Sequence, residues 1–309
     1  MKKESRPVIF FGNERLATGV STNTLVLRAL INSGYPVVAV VSNYEPGQSR
    51  NTRSLEIAEV AEQHGIPLLL PNKLKDIKEQ LISYRAAVAI LVAYGKIIPK
   101  GIIELFPAGI VNVHPSLLPL HRGSTPIESV ILESPPNTGV SIMQLAPEMD
   151  AGPIYGQAEL RLTGDETKQG LADTLLDIGQ SMLIELLPGI LDGTIVALPQ
   201  DSSRATYDNL ISKEDGIIGW HKPAVQLERE IRAFIEWPKS RTTLGNQEVV
   251  ITKAKVINQS GVPGNLIIDN KQLIVYCGEQ ALQLLEIKPA NKSAMSAEAF
   301  LAGYKQRLV

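Results

Sequence analysis

The feature that most constrains the fold is an alternation of short apolar runs with longer stretches of helical spacing across the first half of the chain. Residues 8–11 read as a buried strand ending at Gly12, and 24–33 repeats apolar residues at helical spacing before stopping at Gly34. A second strand over 37–41, a second helix over 55–63 ending near Gly65, and a third strand over 86–92 follow. The third run is almost wholly apolar, which suits a central parallel strand covered on both faces. Segments 111–113 and 139–145 continue the series, and a long helical pattern over 167–191 closes it. This alternation predicts an α/β architecture: a Rossmann-like, parallel-rich sheet with helices on both faces. In such sheets ligands gather beyond the carboxyl ends of the strands, here the segments after Phe11, Val92 and Val113. The fingerprint G-x-G-x-x-G does not follow the first strand, where Gly12-Asn13-Glu14-Arg15 stands instead. A nicotinamide dinucleotide is therefore disfavoured.

After Asp192-Gly193 the texture changes. Residues 194–212 are polar and without clear period, and read as a linker between a first domain over 1–193 and a second over 213–309. The second part holds one helix around 223–234 and short β-rich runs at 248–256, 266–268, 273–276 and 282–287, punctuated by Gly261, Pro263-Gly264 and Gly278. Short strands with frequent turns predict a small barrel. Two domains suit 309 residues, since domains commonly run to roughly 100–200.

Composition removes several classes. The net charge of −2 argues against a generally basic nucleic-acid binder, though not against a local basic patch. One cysteine, Cys277, permits no intrachain disulfide or multi-cysteine cage, and the four histidines are scattered at 64, 114, 121 and 221, so no metal is expected. Cys277 reads as a small buried hydrophobe. The start of the chain has no apolar stretch long enough for a leader or a membrane span, which makes the cytoplasm and no membrane partner the expectation.

The densest cluster of unusual residues is Asn112-Val113-His114-Pro115-Ser116-Leu117-Leu118-Pro119. In an extended segment Asn112 and His114 project to one face. An amide beside an imidazole at a strand's carboxyl end suits acyl transfer, the amide stabilising an oxyanion and the imidazole moving a proton. A third group must fix the imidazole tautomer or hold water, and Asp150, between an apolar run and the turn Ala151-Gly152, is the candidate. By spacing alone, an isolated histidine near a strand end is more often a satisfied structural residue, and Asp150 before Ala-Gly equally reads as a turn former.

Asn-x-His-Pro-Ser-Leu-Leu-Pro, followed by Arg122-Gly123, Thr138-Gly139-Val140 and Asp150-Ala151-Gly152, resembles the signature of folate-dependent formyltransferases. The resemblance implies that Asn112, His114 and Asp150 are catalytic. It also implies that Ser116, Leu117, Leu118 and Pro119 help to hold 10-formyltetrahydrofolate as co-substrate. The stretch 93–99 is similar to the family's pterin-binding loop, implicating Tyr94, Gly95 and Ile98; by the residues alone it reads as a helix start with Pro99 near the first turn. Two further stretches, 226–234 with Trp237-Pro238 and 288–296, are similar to the C-terminal domain of the methionyl-tRNA-specific branch. They imply an OB-like second domain that binds tRNA, initiator methionyl-tRNA as partner, and a monomeric enzyme of translation initiation.

Cationic contacts to tRNA are expected from Lys239, Arg241, Lys253, Lys255, Lys288, Lys292, Lys305 and Arg307, with a solvated face as the alternative for each. Arg50 and Arg53 fall where the family inserts a tRNA-contacting loop. The chain departs from the pattern in a longer loop over 13–23, a basic-poor 45–53, and Leu120-His121 in place of a basic–aromatic pair, with His121 either a loop residue or a substrate contact. Alternatives are formylation of a sugar-nucleotide amine, a non-catalytic folate- or RNA-binding protein, and hydrolysis of formyl-folate to formate.

Overall fold

The structure is a computed structural model that describes residues 6–16, 18–43 and 55–308. Arg50 and Arg53 lie outside the described residues. The chain divides into two compact units: 1–126, 136–163 and 169–209 form the first, and 127–135, 164–168 and 210–309 the second.

The first unit carries β1 Val8–Gly12, α1 Leu25–Asn32, β2 Val37–Val41, α2 Glu56–Gln63, β3 Leu68–Leu69, α3 Lys78–Ser83, β4 Val88–Val92, α4 Lys100–Ile103 and β5 Ile110–His114. After α5 Pro126–Glu133 come β6 Asn137–Gln144, β7 Ile154–Arg161 and α6 Lys168–Asp192. The strands form one seven-stranded sheet ordered β3-β2-β1-β4-β5-β6-β7, parallel as far as β5 and antiparallel from β5 to β7. Rossmann-like α/β organisation is thus as the apolar alternation predicts. The central strands β1 and β4 are apolar throughout because both faces are covered. Ile9, Phe11, Ala39, Val41 and Ala89 pack with Leu81, Ile102 and Phe106 on one side. Phe10, on the alternate face, lies with Val26, Ile57 and Leu176 from α1, α2 and α6. β7, at the sheet edge, alternates between half-covered and exposed positions, which is why its sequence reads weakly as a strand.

In the longer loop after β1, Arg15 pairs Ser21, and Leu16 N–H donates to Val20 O at 2.8 Å. Gln169, in the first turns of α6, pins it by bonding both the N–H and the C=O of Ser21.

The second unit contains α7 Ala224–Ala233, β8 Ser240–Leu244, β9 Gln247–Ile257, β10 Leu266–Asp269, β11 Gln272–Tyr276, β12 Ala281–Pro289, β13 Met295–Ser296 and α8 Ala297–Tyr304. Its strands form an antiparallel sheet ordered β10-β11-β12-β9-β8, with β13 on β12. The sheet contributes Val249, Ile251, Leu273, Val275, Leu282, Leu284 and Ile287 to the core, which is closed by Leu227 and Ile231 of α7 and Phe300 of α8. Cys277 belongs to the same core, 2% exposed. α8 starts where Ser296 Oγ accepts from Ala299 N–H at 3.2 Å, satisfying one of the free donors of a helix start. This unit also takes in most of α5, held by Arg229 Nη1 donating to Leu132 O, and residue 166, held by Arg232 Nη1 donating to Glu166 O.

Candidate active site

Asn112 and His114 sit at the carboxyl end of β5, the last parallel strand, flanked by β4 and β6: Leu91 and Met143 are register partners of Asn112, and Ser141 of His114. Both are 5% exposed. The Asn112 side chain makes no hydrogen bond among the described residues and is not sealed from its surroundings, so its amide remains able to donate. His114 is fixed differently. Its Nε2 lies 3.0 Å from the carbonyl oxygen of His121, an acceptor only, so Nε2 carries the proton and donates. In the neutral ring that leaves Nδ1 with its lone pair free, 3.9 Å from Asp150 Oδ2. At this separation the carboxylate acts on the ring electrostatically, not through a direct hydrogen bond.

Asp150 is itself positioned by the segment that carries His121. Its Oδ2 accepts from Gly123 N–H at 2.9 Å. Gly123 has φ +121°, a backbone conformation open to glycine and hardly to other residues, and this aims the N–H at the carboxylate. The turn after Asp150 is pressed onto the end of β6: a Cβ at Gly152 would meet Gln144 O at 1.8 Å. The tautomer of His114 is thus set by a backbone carbonyl and not by Asp150.

Residues 116–119 are braced from behind. Ser141 Oγ donates to Ser116 O at 2.7 Å and accepts from Leu118 N–H at 3.0 Å, and Gln157 Nε2 donates to both Leu118 O and Ser141 Oγ at 2.8 Å. Ser116 Oγ donates to Leu120 O at 2.7 Å, and the Leu118–Pro119 peptide is cis. The hydroxyl and the backbone at 118 are committed to holding the loop's shape.

The stretch 93–99 follows β4 and turns through Ala93 and Gly95, both at positive φ, with Pro99 as the residue before α4. Tyr94 is 2% exposed and its ring packs edge-on against Phe11 at 5.5 Å. Burial pushes its phenol up to about 12. Its main-chain carbonyl accepts from Asn13 Nδ2 at 2.9 Å and from Asn43 Nδ2. Ile98 is buried and Ile97 is 87% exposed. The backbone N–H groups of 95–98 have no partner among the described residues. Beside them Asn43 Oδ1 is a buried acceptor without a hydrogen bond. Free donors and an orphaned acceptor next to an apolar wall fit the edge of a pterin. Asn13 and Asn43 carry no signal in the sequence beyond their place after β1 and β2.

The segment 194–209, which reads as a linker, supplies several of the site's supporting groups. His121 N–H donates to Thr206 Oγ1 at 2.8 Å and its Nδ1 is 3.0 Å from Asp208 Oδ1. His121 is thereby held at a 9%-exposed position by hydrogen bonds to both residues. Arg122, 1% exposed, donates to Gln200, Tyr207 and Ser202. These partners lie some eighty residues downstream, and no local pattern announces them.

In the second unit Lys239, Arg241 and Lys288 line one pocket of about 500 Å³ together with Asn291 and Glu248. Lys253 stands opposite Glu286 in the β9–β12 ladder. Lys255, Lys292 and Lys305 are exposed elsewhere.

Residues 15–187 match the formyl transferase family model and 210–305 the formyl transferase C-terminal domain model. A methionyl-tRNA formyltransferase of Methylococcus capsulatus is 38% identical over 89% of this chain and 91% of its own. One of Myxococcus xanthus is 37% identical over 97% and 96%. Among solved structures, HypX from Aquifex aeolicus in complex with tetrahydrofolic acid aligns at a TM-score of 0.67 and 13% identity, covering 97% of this chain and 47% of that one. WlaRD, a sugar 3N-formyl transferase, aligns at 0.65 and 18% identity over 94% and 100%. These structural likenesses carry the fold alone.

Proposed function

The chain belongs to the methionyl-tRNA formyltransferase family, and from that premise we propose that it transfers the formyl group of 10-formyltetrahydrofolate to the α-amine of methionine on initiator tRNA. The observation that carries the chemistry is the pairing, at the end of β5, of an uncommitted amide with an imidazole anchored through Nε2 alone.

The folate, when bound, supplies a formyl group on a nitrogen that can depart. Tyr94, Gly95 and Ile98 would hold the pterin through main chain and an apolar wall, and residues 116–119 would help to hold the folate. Asn112 donates its amide N–H to the formyl oxygen as negative charge gathers there; losing such a donor costs on the order of a hundredfold or more in rate. His114 takes a proton from the attacking amine at Nδ1 and returns it to the departing nitrogen. Its Nε2–H keeps donating to the His121 carbonyl throughout, so the ring shuttles one proton at one atom. Asp150 favours the imidazolium that forms between those two events, from 3.9 Å.

The cations Lys239, Arg241 and Lys288 support contact between the second unit and the tRNA backbone. A cytoplasmic monomer fits this acceptor, which is charged tRNA in solution. α6 is long and apolar enough to cross a membrane, yet its Leu171, Leu175, Leu183 and Leu187 are buried inside the protein.

The test is direct. Incubated with 10-formyltetrahydrofolate and methionyl-tRNA, the protein should yield N-formylmethionyl-tRNA. Release of formate alone, or transfer only to a sugar-nucleotide amine, overturns the reading. His114→Ala should abolish transfer and leave the unfolding midpoint and folate binding in place; full activity in that variant removes the proton-transfer role.

A further inference from the structure

The Gln200 side chain makes four hydrogen bonds, and all of them bear on the placement of Asp150. Its Nε2 donates to Asp150 O at 2.8 Å and to Gly152 O at 2.7 Å. Its Oε1 accepts from Arg122 Nη2 at 2.8 Å and Nε at 3.1 Å. The orientation of the amide is dictated by its surroundings: turned over, its oxygen would face two carbonyls and its NH2 a guanidinium.

The consequence is a single frame for the two groups that must act together. His121 O holds His114 Nε2, and Gly123 N–H holds the Asp150 carboxylate. Between them, Arg122 runs through Gln200 to the main chain of the turn on both sides of Ala151. Three consecutive residues therefore reference the imidazole, the carboxylate and the carboxylate's backbone. Arg122 is buried among neutral partners in this arrangement, with Gln200 satisfying two of its donors and Tyr207 and Ser202 others. Asp150 needs such support because its φ of +46° is a conformation that a non-glycine residue holds only where neighbours over-determine it.

We propose that Gln200 is a positioning residue of the transfer reaction: it holds the 150–152 turn so that the Asp150 carboxylate stands at its working distance from His114. This rests on the proposed formyl transfer for its rate readout but not for its geometry. Gln200→Leu removes both donors to the turn at nearly constant volume. Displacement of a catalytic group by about 1 Å costs roughly a hundredfold, so kcat should fall by about that factor, with KM for the folate and for methionyl-tRNA within twofold of the parent.

Gln200→Glu separates the turn from the fold, because it keeps acceptors for Arg122 and loses the donors to Asp150 and Gly152. It should be as slow as Gln200→Leu. In the double variant Gln200→Leu/Asp150→Asn the rate should match that of Asp150→Asn alone, since the positioned group is already disabled. Multiplying losses in the double variant, a near-parental kcat in either Gln200 variant, or a rise in KM without a fall in kcat overturns the proposal. A crystal structure of Gln200→Leu tests the geometry independently of activity: Asp150 Oδ2 should have left Gly123 N–H, and finding it still bonded overturns the proposal even if the function reading is wrong. Absence of transfer by the parent protein, with the turn displaced in the variant crystal, sinks only the function reading.

Discussion

Lys168 has no exposed surface, and its Nζ lies 2.9 Å from the Oε1 of Glu128, itself 2% exposed. Glu236 Oε2 is 3.8 Å away with its side chain 34% exposed, and Trp237 O is at 3.4 Å. Lys168→Met keeps the stem and deletes the charge. At 2.9 Å the pair attracts by about 6 kcal/mol for an effective dielectric of 20, a gross figure that desolvation of both ions offsets. The loss on removing one partner is set instead by what becomes of the stranded carboxylate. Left ionised and buried, that carboxylate costs about 3–5 kcal/mol, which is the expected destabilisation of the variant at pH 7. Both tryptophans, Trp220 and Trp237, belong to the unit that contains the cluster, so fluorescence-monitored guanidinium unfolding reads the relevant transition. Lys168→Met/Glu128→Leu should recover to within about 1 kcal/mol of the parent, because an apolar replacement removes the desolvation cost together with the attraction. A single-variant loss below about 1 kcal/mol would show that no stranded carboxylate governs the variant's stability.

Two further outcomes follow from burial. The Tyr94 phenol, raised to about 12 by burial, stays protonated after its unfolded counterpart ionises near 10; stability should therefore fall from pH 10 to 12 by up to about 1.4 kcal/mol per unit. Urea midpoints of Tyr94→Phe should decline less steeply over that range, and parallel declines would show that another group is responsible. The Cys277 thiol, raised to about 11 and 2% exposed, should resist iodoacetamide at pH 8 in the folded protein and react at the rate of an ordinary thiol once unfolded; fast labelling of the folded chain would contradict its place in the core.

The legible parts of the fold are those where one physical constraint dominates. β1, β2, β4 and β5 are apolar because they are buried, and α6 carries its period over 25 residues. The strands β7 and β8 escape notice because each runs half-exposed over much of its length, and Ser240-Arg241-Thr242-Thr243 has nothing apolar to alternate with. α8 is hidden by its small residues, although Ser296 is a capping residue three positions before the N–H it binds. At the site, Asn112 and His114 are readable because a strand's period puts them on one face. Asp150 is not readable that way, since its role comes from a contact with Gly123 across 27 residues.

Separation along the chain is also why the stretch over 194–209 carries more of the site than its polarity suggests. A side chain that serves another side chain needs neither apolarity nor period, only the right partner within reach, and so leaves no pattern in its own neighbourhood. Gln200, Thr206, Tyr207 and Asp208 each meet a residue of 121–122 through their side chains. The strand ends therefore hold the groups proposed to react, while a returning segment holds the loop beside them. A chain ending at Gly193 would retain Asn112, His114 and Asp150. It would lose these side-chain partners of His121 and Arg122, together with the amide that fixes the Asp150 turn. Its chemistry would be intact as a set of residues and undone as a geometry.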